Sequence, residues 1–393
     1  MNLACFNMRD SCTKVLHRQY MVKWMKPVLL MRPVLFFFSG SLLRVPKGEC
    51  MLKAVILFAV GLVLLIKGGD WFVDGASGFA HRFHVPELLI GATVVSIGTT
   101  LPEVMVSSTS AVMGHSEIAY GNAIGSIICN TALIAAITMA IRPPKVNRKE
   151  IVLPVCFFFG AAALWSVVAY TSGNFSRLLG IVLLAIFATY MTLLIVQAVK
   201  AGKAERTLNA DGAGTATETA LSEAGTAGGA DSADDQEPVW KLLVMLVLGA
   251  ACIAFGADLL VDNGTIIAHE MGVPESVIAL TFVALGTSLP ELVTAITSLV
   301  KKCGALSLGN IIGANLFNLV LVSGLSITLK PFSIPVEKTI AGMNASLVVD
   351  TPLMLLVMLI MTVPPLISGK MKRWQGILLL ALYAAFCAFQ FAM

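Results

Sequence analysis

Two glutamates sit where a charge is costly. Glu103 ends the segment GATVVSIGTTLPE and Glu291 ends ALTFVALGTSLPE, both inside long apolar runs. A carboxylate in hydrocarbon is expensive to desolvate and marks a functional site. Each follows a proline, Pro102 or Pro290. Proline has no N–H and its ring displaces the carbonyl four residues back, so the carbonyls near Gly98, Thr99, Gly286 and Thr287 are expected to lose their helical partners. In a membrane they must find others. The hydroxyls of Thr99, Thr100, Thr287 and Ser288 stand one turn before the glutamates. Everything on offer is oxygen. Hard cations such as Ca²⁺ take about six to eight oxygen ligands, and Na⁺ asks for a similar but smaller set. Soft metals want Cys or His, and neither recurs at these positions.

Two more segments carry neutral donors. GNAIGSIICN and GNIIGANLFN end in Asn130 and Asn318. Glycines four apart in each (Gly121 and Gly125, Gly309 and Gly313) allow close approach to neighbouring helices. Two glutamates with two amides make a site of formal charge −2. One Ca²⁺ balances it, and so do two Na⁺ or two H⁺. A ligand set that either kind of ion neutralises, but not both at once, is the physical basis of antiport.

These residues need a scaffold, and composition says which. The 393 residues are 57% hydrophobic and only 13% charged, with a mean hydropathy of +0.86. A soluble domain is roughly a quarter charged, so a lipid bilayer is the expected solvent. A net charge of +4 is too small and dispersed for a nucleic-acid partner. Eight cysteines lie scattered without a CxxC pair, which indicates neither a disulfide framework nor zinc. A span needs about 20 apolar residues. Ten such runs follow Met51, near 52–79, 86–113, 118–141, 151–170, 177–199, 240–266, 274–300, 305–329, 344–366 and 374–392. The expected class is therefore an all-α integral membrane protein. Residues 201–238, rich in Ala, Gly, Thr, Asp and Glu, cannot build a core and read as a flexible linker. Residues 1–50 hold an apolar run interrupted by Arg32 and two prolines, and they read as an N-terminal extension, with Met51 as the natural start.

The spans repeat. The glutamates differ by 291 − 103 = 188 positions, and the same offset pairs Gly61 with Gly249, Asp70 with Asp258, Asp74 with Asp262, His81 with His269, Gly121-Asn122 with Gly309-Asn310, and Asn130 with Asn318. Residues 51–200 and 239–393 each hold five spans. An odd number makes the second copy enter the membrane from the opposite face, giving two inverted five-helix repeats with a site expected where they meet at mid-membrane. The basic residues fall mostly on one side, among them Arg142, Arg148, Lys149, Lys301, Lys302 and Arg373, against Lys53, Arg177, Lys330 and Lys338 on the other. That bias places the linker in the cytoplasm.

Other repeated residues have quieter readings. Pro86-Glu87 and Pro274-Glu275 suit helix starts, with the carboxylate on the positive dipole end. His81 and His269 read as loop histidines. Asp70, Asp74, Asp258 and Asp262 lie toward span ends, where snorkelling is cheap. Asp350 reads as a local cap before Pro352, and the Met-rich ninth span as packing or lipid-facing surface.

GTTLPE and GTSLPE, followed by GNAIGS and GNIIGA, resemble the two α-repeats of the cation/calcium exchanger superfamily, in particular the sodium/calcium exchanger branch of prokaryotic type. The likeness runs along residues 51–393. It implies ion ligands at Glu103, Thr99, Thr100, Ser126, Asn130, Thr287, Ser288, Glu291 and Asn318. It implies Na⁺ influx driving Ca²⁺ extrusion in the cell membrane, no cofactor, no enzymatic activity, and spans 1 and 6 sliding as a gate. No obligate protein partner is evident. Two positions depart from the pattern. Ala314 stands where many members have Ser, and Asn318 stands where some have Asp, a change associated with K⁺ cotransport. Coupling to H⁺ or K⁺, or another divalent cargo, therefore stays open beside Na⁺ and Ca²⁺. An intramembrane hydrolase could also use two buried carboxylates, but it would not need inverted repeats.

Overall fold

The computed structural model describes residues 47–144, 146–211, 237–271, 286–335, 339–340 and 343–392. The helices are α1 Lys47–Phe83, α2 Glu87–Met113, α3 Ile118–Ile141, α4 Arg148–Thr171, α5 Arg177–Asp211, α6 Val239–Glu270, α7 Leu289–Val300, α8 Gly304–Leu329, α9 Ser346–Ser368 and α10 Arg373–Ala392. Among the described residues, 8 helices are long and apolar enough to cross a membrane. The predicted seventh span is described only from residue 286 onward. Strands are confined to two-residue ladders, such as Asn174–Phe175 against Phe332–Ser333.

The expected repeat is visible in how helices cross. A Cβ on Gly61 would lie 2.9 Å from the Gly256 carbonyl oxygen, and one on Gly256 would lie 2.8 Å from that of Gly61. A Cβ on Gly68 would reach the Gly249 oxygen at 3.0 Å, and one on Gly75 the Leu242 oxygen at 3.0 Å. Numbers rise along α1 as they fall along α6, so the two helices cross antiparallel. Adding 188 to Gly61 and Gly68 gives Gly249 and Gly256, so the two contacts are each other's images. Backbone approach this close leaves no room for a methyl group and replaces the hydrophobic drive that helices lack in lipid. Gly309 and Gly313 serve α8 in the same way. Their Cβ positions would fall 2.1 Å from the Leu88 oxygen and 2.3 Å from Ser96 Oγ. The images of those contacts, at Gly121 and Gly125, would involve residues 276 to 284, outside the described residues.

The helices bearing the predicted ligands form the interior. Of the best 18-residue window, 72% is buried in α3 and 83% in α8, against 22% in α1 and 28% in α6. The outer helices pack on this centre through α1 and α6 contacts around Phe72, Val73, Ala76 and Ile253. Met354, Met358 and Met361 of α9 are buried, so the methionines pack the core rather than face lipid. Asp350 ends the π-helical first turn of α9, Ser346–Asp350, and accepts a hydrogen bond from Gln390 Nε2 of α10 at 3.2 Å.

Two local expectations change. α5 continues to Asp211, so the helix enters the predicted linker for about three turns before the undescribed residues 212–236. Ala, Lys, Glu, Arg and Leu in that stretch are good helix formers. Residues 47–50 belong to α1, while the rest of the predicted N-terminal extension lies outside the described residues. Glu275 and Pro274 also lie outside them.

Candidate ion-binding site

The prolines shape the two halves differently. In the first copy the chain is helical from Ser96 to Met113 with Pro102 inside. In the second, Gly286 is helical, Thr287 and Ser288 form a turn, and α7 starts at Leu289 with Pro290 in its first turn. There the missing proline N–H costs nothing, because the first turn has no partner for it. Leu292 N–H donates to the Ser288 carbonyl at 3.0 Å. The expected backbone break is thus found at Thr287–Ser288, while α2 runs through its proline.

The amides are set by a device that the sequence pattern did not reveal. Asn130 opens a π-helical segment, Asn130–Ala135, in α3, and Asn318 opens another, Asn318–Val322, in α8. A π-bulge widens the helix by one residue per turn and re-aims side chains, and such bulges gather at functional sites. The Asn130 segment packs against α7, which carries Glu291, and the Asn318 segment packs against the α2 helix that carries Glu103. Each amide-bearing segment therefore packs against the helix that carries the other copy's glutamate.

Eight of the nine residues predicted to ligate are buried: Thr99, Thr100, Glu103, Ser126, Asn130, Ser288, Glu291 and Asn318. Thr287 is half-buried. Glu103 and Glu291 are 0% exposed and within electrostatic reach of each other, and Glu291 lies beside Thr99 and Thr100. Both oxygens of each carboxylate, and both polar atoms of each amide at Asn130 and Asn318, have no hydrogen-bond partner among the described residues. Buried polar atoms are normally paired, so eight unpaired atoms in one region call for something the protein itself does not supply. Ser288 Oγ lies 3.5 Å from Ser126 Oγ. Its image position pairs Thr100 with Ala314, and Thr100 Oγ1 has no partner.

Two cross-copy hydrogen bonds tie the halves together. Thr99 Oγ1 donates to Asn310 Oδ1 at 3.2 Å, and Thr287 Oγ1 donates to Asn122 Oδ1 at 3.0 Å. The 188-residue offset turns one bond into the other. Neither asparagine was singled out from sequence, although the GN repeat was the signal. A cavity lined by Phe72, Gly98, Thr99, Pro102, Ala250, Ile253, Ala254 and Pro290 leads to the two prolines between α1, α2, α6 and α7. Away from this site, Lys301 Nζ pairs with Asp74 at 2.7 Å and Asp70 at 3.5 Å. Glu87 accepts a hydrogen bond from Ser77 Oγ at 3.3 Å. Those carboxylates hold helix ends together, on the side of α1 remote from Gly61.

This chain matches the family described as sodium/calcium exchanger protein over residues 53–196 and 241–392. The chain belongs to the sodium/calcium exchanger family. The exchanger is 31% identical to the sodium/calcium exchanger MaX1 of Methanosarcina acetivorans, over 84% of this chain and 96% of that protein. It is 32% identical to the putative antiporter CaxA of Alkalimonas amylolytica, over 87% and 99%. A solved structure of the sodium-calcium exchanger NCX_Mj superposes with a TM-score of 0.66 at 32% identity, covering 86% of this chain and 99% of that one. The exchanger is accordingly a multi-pass, all-helical membrane cation antiporter. It is not an enzyme and uses no cofactor, since the ions are its substrates.

Proposed function

We propose that the protein exchanges Ca²⁺ for Na⁺ across the cell (plasma or inner) membrane by alternating access at one mid-membrane oxygen site. The supporting observation is the pair of fully buried carboxylates, Glu103 and Glu291, within electrostatic reach of each other, whose four oxygens have no partner among the described residues. Facing charges of −2 repel unless a cation lies between them. The ligand set is completed by Thr99, Thr100, Ser126, Asn130, Thr287, Ser288 and Asn318. One Ca²⁺ neutralises the carboxylates and leaves no charge for sodium. Two Na⁺ do the same and expel calcium. Most of the remaining donors are neutral oxygens, as a dehydrated hard cation requires. Alternating access follows if α1 and α6, both sparsely buried, move together across the site on their reciprocal glycine contacts.

In this reading residues 51–200 and 239–393 are the two five-helix repeats of a ten-span unit, residues 201–238 are a cytoplasmic linker, and residues 1–50 are a dispensable extension. Purified protein in vesicles, loaded in turn with Na⁺, K⁺ or H⁺ and offered external Ca²⁺, tests the exchange. Calcium uptake driven by the outward Na⁺ gradient is expected. Uptake that ignores Na⁺ and follows K⁺ or H⁺ instead would reassign the coupling ion.

A further inference from the structure

We infer that Asn122 and Asn310, which lie outside the proposed ligand set, are positioning residues that aim the hydroxyl lone pairs of Thr287 and Thr99 at the cation, and that only the Asn122 half is fixed. The inference rests on the antiport reading and deepens it. A hydroxyl has one hydrogen and two lone pairs. Thr287 gives its hydrogen to Asn122 Oδ1 at 3.0 Å, and Thr99 gives its hydrogen to Asn310 Oδ1 at 3.2 Å. Each hydroxyl so held can offer its remaining side only lone pairs. Such a group ligates a cation and repels an anion, without any charge of its own.

The two amides are not held alike. Asn122 Nδ2 donates to Ser107 Oγ at 2.8 Å and to the Glu103 carbonyl oxygen at 3.3 Å. A carbonyl can only accept, so Nδ2 must face it and Oδ1 must face Thr287. The backbone of the glutamate itself thereby fixes the orientation of the opposite threonine. Asn310 has no such lock. Its Nδ2 is buried without a partner among the described residues, and Ala295 stands at the image of Ser107 (295 − 188 = 107). A 180° turn of the Asn310 amide exchanges two groups of equal size. Nδ2 then donates to Thr99, whose hydrogen turns to the Glu291 carboxylate beside it. Thr99 can thus serve as cation ligand when the ion is present and as hydrogen-bond donor to the carboxylate when it is not, while Thr287 remains an acceptor throughout.

Double-mutant cycles on the full chain in vesicles test this, with Ca²⁺/Ca²⁺ exchange giving the half-saturating Ca²⁺ concentration without any Na⁺. Asn122→Ala is expected to raise that concentration about fivefold, the worth of one net hydrogen bond. On a Thr287→Val background it should add nothing, because its target is gone. Asn310→Ala is expected to shift it less than about twofold, and nothing further with Thr99→Val. Ser107→Ala leaves Asn122 and the Glu103 carbonyl in place but removes one of the two acceptors that hold the amide, and an increase of about twofold is expected. Equal losses from Asn122→Ala with and without Thr287, or an Asn310→Ala loss as large as that of Asn122→Ala, would overturn the assignment. Glu103→Gln and Glu291→Gln in the same assay separate the two failures. If they bind normally, the site reading is wrong. If they abolish exchange while the cycles are additive, only the positioning role is lost.

Discussion

The first copy carries its GTTLPE motif on an unbroken helix, whereas the second interrupts the helix at the equivalent GTSLPE and restarts at Leu289. Nearly the same six residues thus adopt two local structures, so tertiary context and not the motif decides where proline breaks a helix. The copies agree where helices cross, at Gly61–Gly256 and Gly68–Gly249, and at the Thr99–Asn310 and Thr287–Asn122 bonds. They differ at the edges of the site, where Ser126 has Ala314 as its image, Ser107 has Ala295, and Lys301 has Met113. An inverted repeat with identical halves would present the same shape to both sides of the membrane. Inequality of the halves is what alternating access, as proposed here, needs at every instant.

The largest effect should come from the residues that the copies share most strictly. Glu103→Gln and Glu291→Gln keep volume and hydrogen bonding, and each removes one charge. A unit charge about 4 Å from a unit of ion charge is worth roughly 4 kcal/mol at an effective dielectric near 20, or about a thousandfold in affinity. Calcium binding by isothermal titration should collapse for both variants alike, with the folded fraction unchanged. A large loss from one and none from the other would break the symmetry on which the site rests.

Next come the crossing glycines. Gly61→Ala and Gly256→Ala each push a methyl into the partner backbone carbonyl, and overpacking of this kind costs about 1–3 kcal/mol. Equal losses of thermal stability, measured by melting in detergent, are expected for the two. If Gly256→Ala is harmless where Gly61→Ala is not, the α1–α6 contact is not reciprocal.

Much of this was legible in the sequence, and for identifiable reasons. Burial of a charge is so costly that Glu103 and Glu291 could be read directly, and an offset of 188 held across seventy residues exposed the repeat. Asn122 and Asn310 escaped because an amide near a helix start has many ordinary uses, and only coordinates show which hydroxyl it meets. The π-helical segments at Asn130 and Asn318 escaped because widening a helix by one residue leaves the apolar pattern intact. Proline signalled a break at both Pro102 and Pro290 but could not say that one would be absorbed within the helix and the other placed at its start.

A smaller effect is expected from the unreciprocated ion pair. Lys301 ties the α7–α8 turn to Asp70 and Asp74 of α1, whereas Met113, at its image, offers no charge to Asp258 and Asp262. Lys301, Asp70 and Asp74 are all partly exposed, so the contribution to stability is at most about 1 kcal/mol. Lys301→Gln should leave the half-saturating Ca²⁺ concentration unchanged while altering the exchange rate by less than about threefold, and added salt should reduce the difference. A change in Ca²⁺ affinity would place Lys301 in the site rather than at the end of α1.

The smallest expected effect restores symmetry where the second copy lacks it. Ala295→Ser puts a hydroxyl at the image of Ser107, opposite Asn310 Nδ2, which is buried without a partner. Leaving a buried donor unsatisfied costs about 1–3 kcal/mol, and a formed hydrogen bond returns about 1 kcal/mol net. The substitution adds one oxygen beside a fully buried methyl, so overpacking offsets part of the gain. A rise in melting temperature of a few degrees is therefore expected. A hydroxyl that accepts from Asn310 Nδ2 also favours the amide orientation that keeps Thr99 facing the cation. Calcium should then bind up to about twofold more tightly, and its release, the step that needs Thr99 to turn toward Glu291, should slow. Tighter binding with slower exchange is the signature of a locked half. A stabilised protein with unchanged exchange kinetics would show that the looseness of Asn310 is incidental to transport, whereas faster exchange would show that order at this corner limits the cycle.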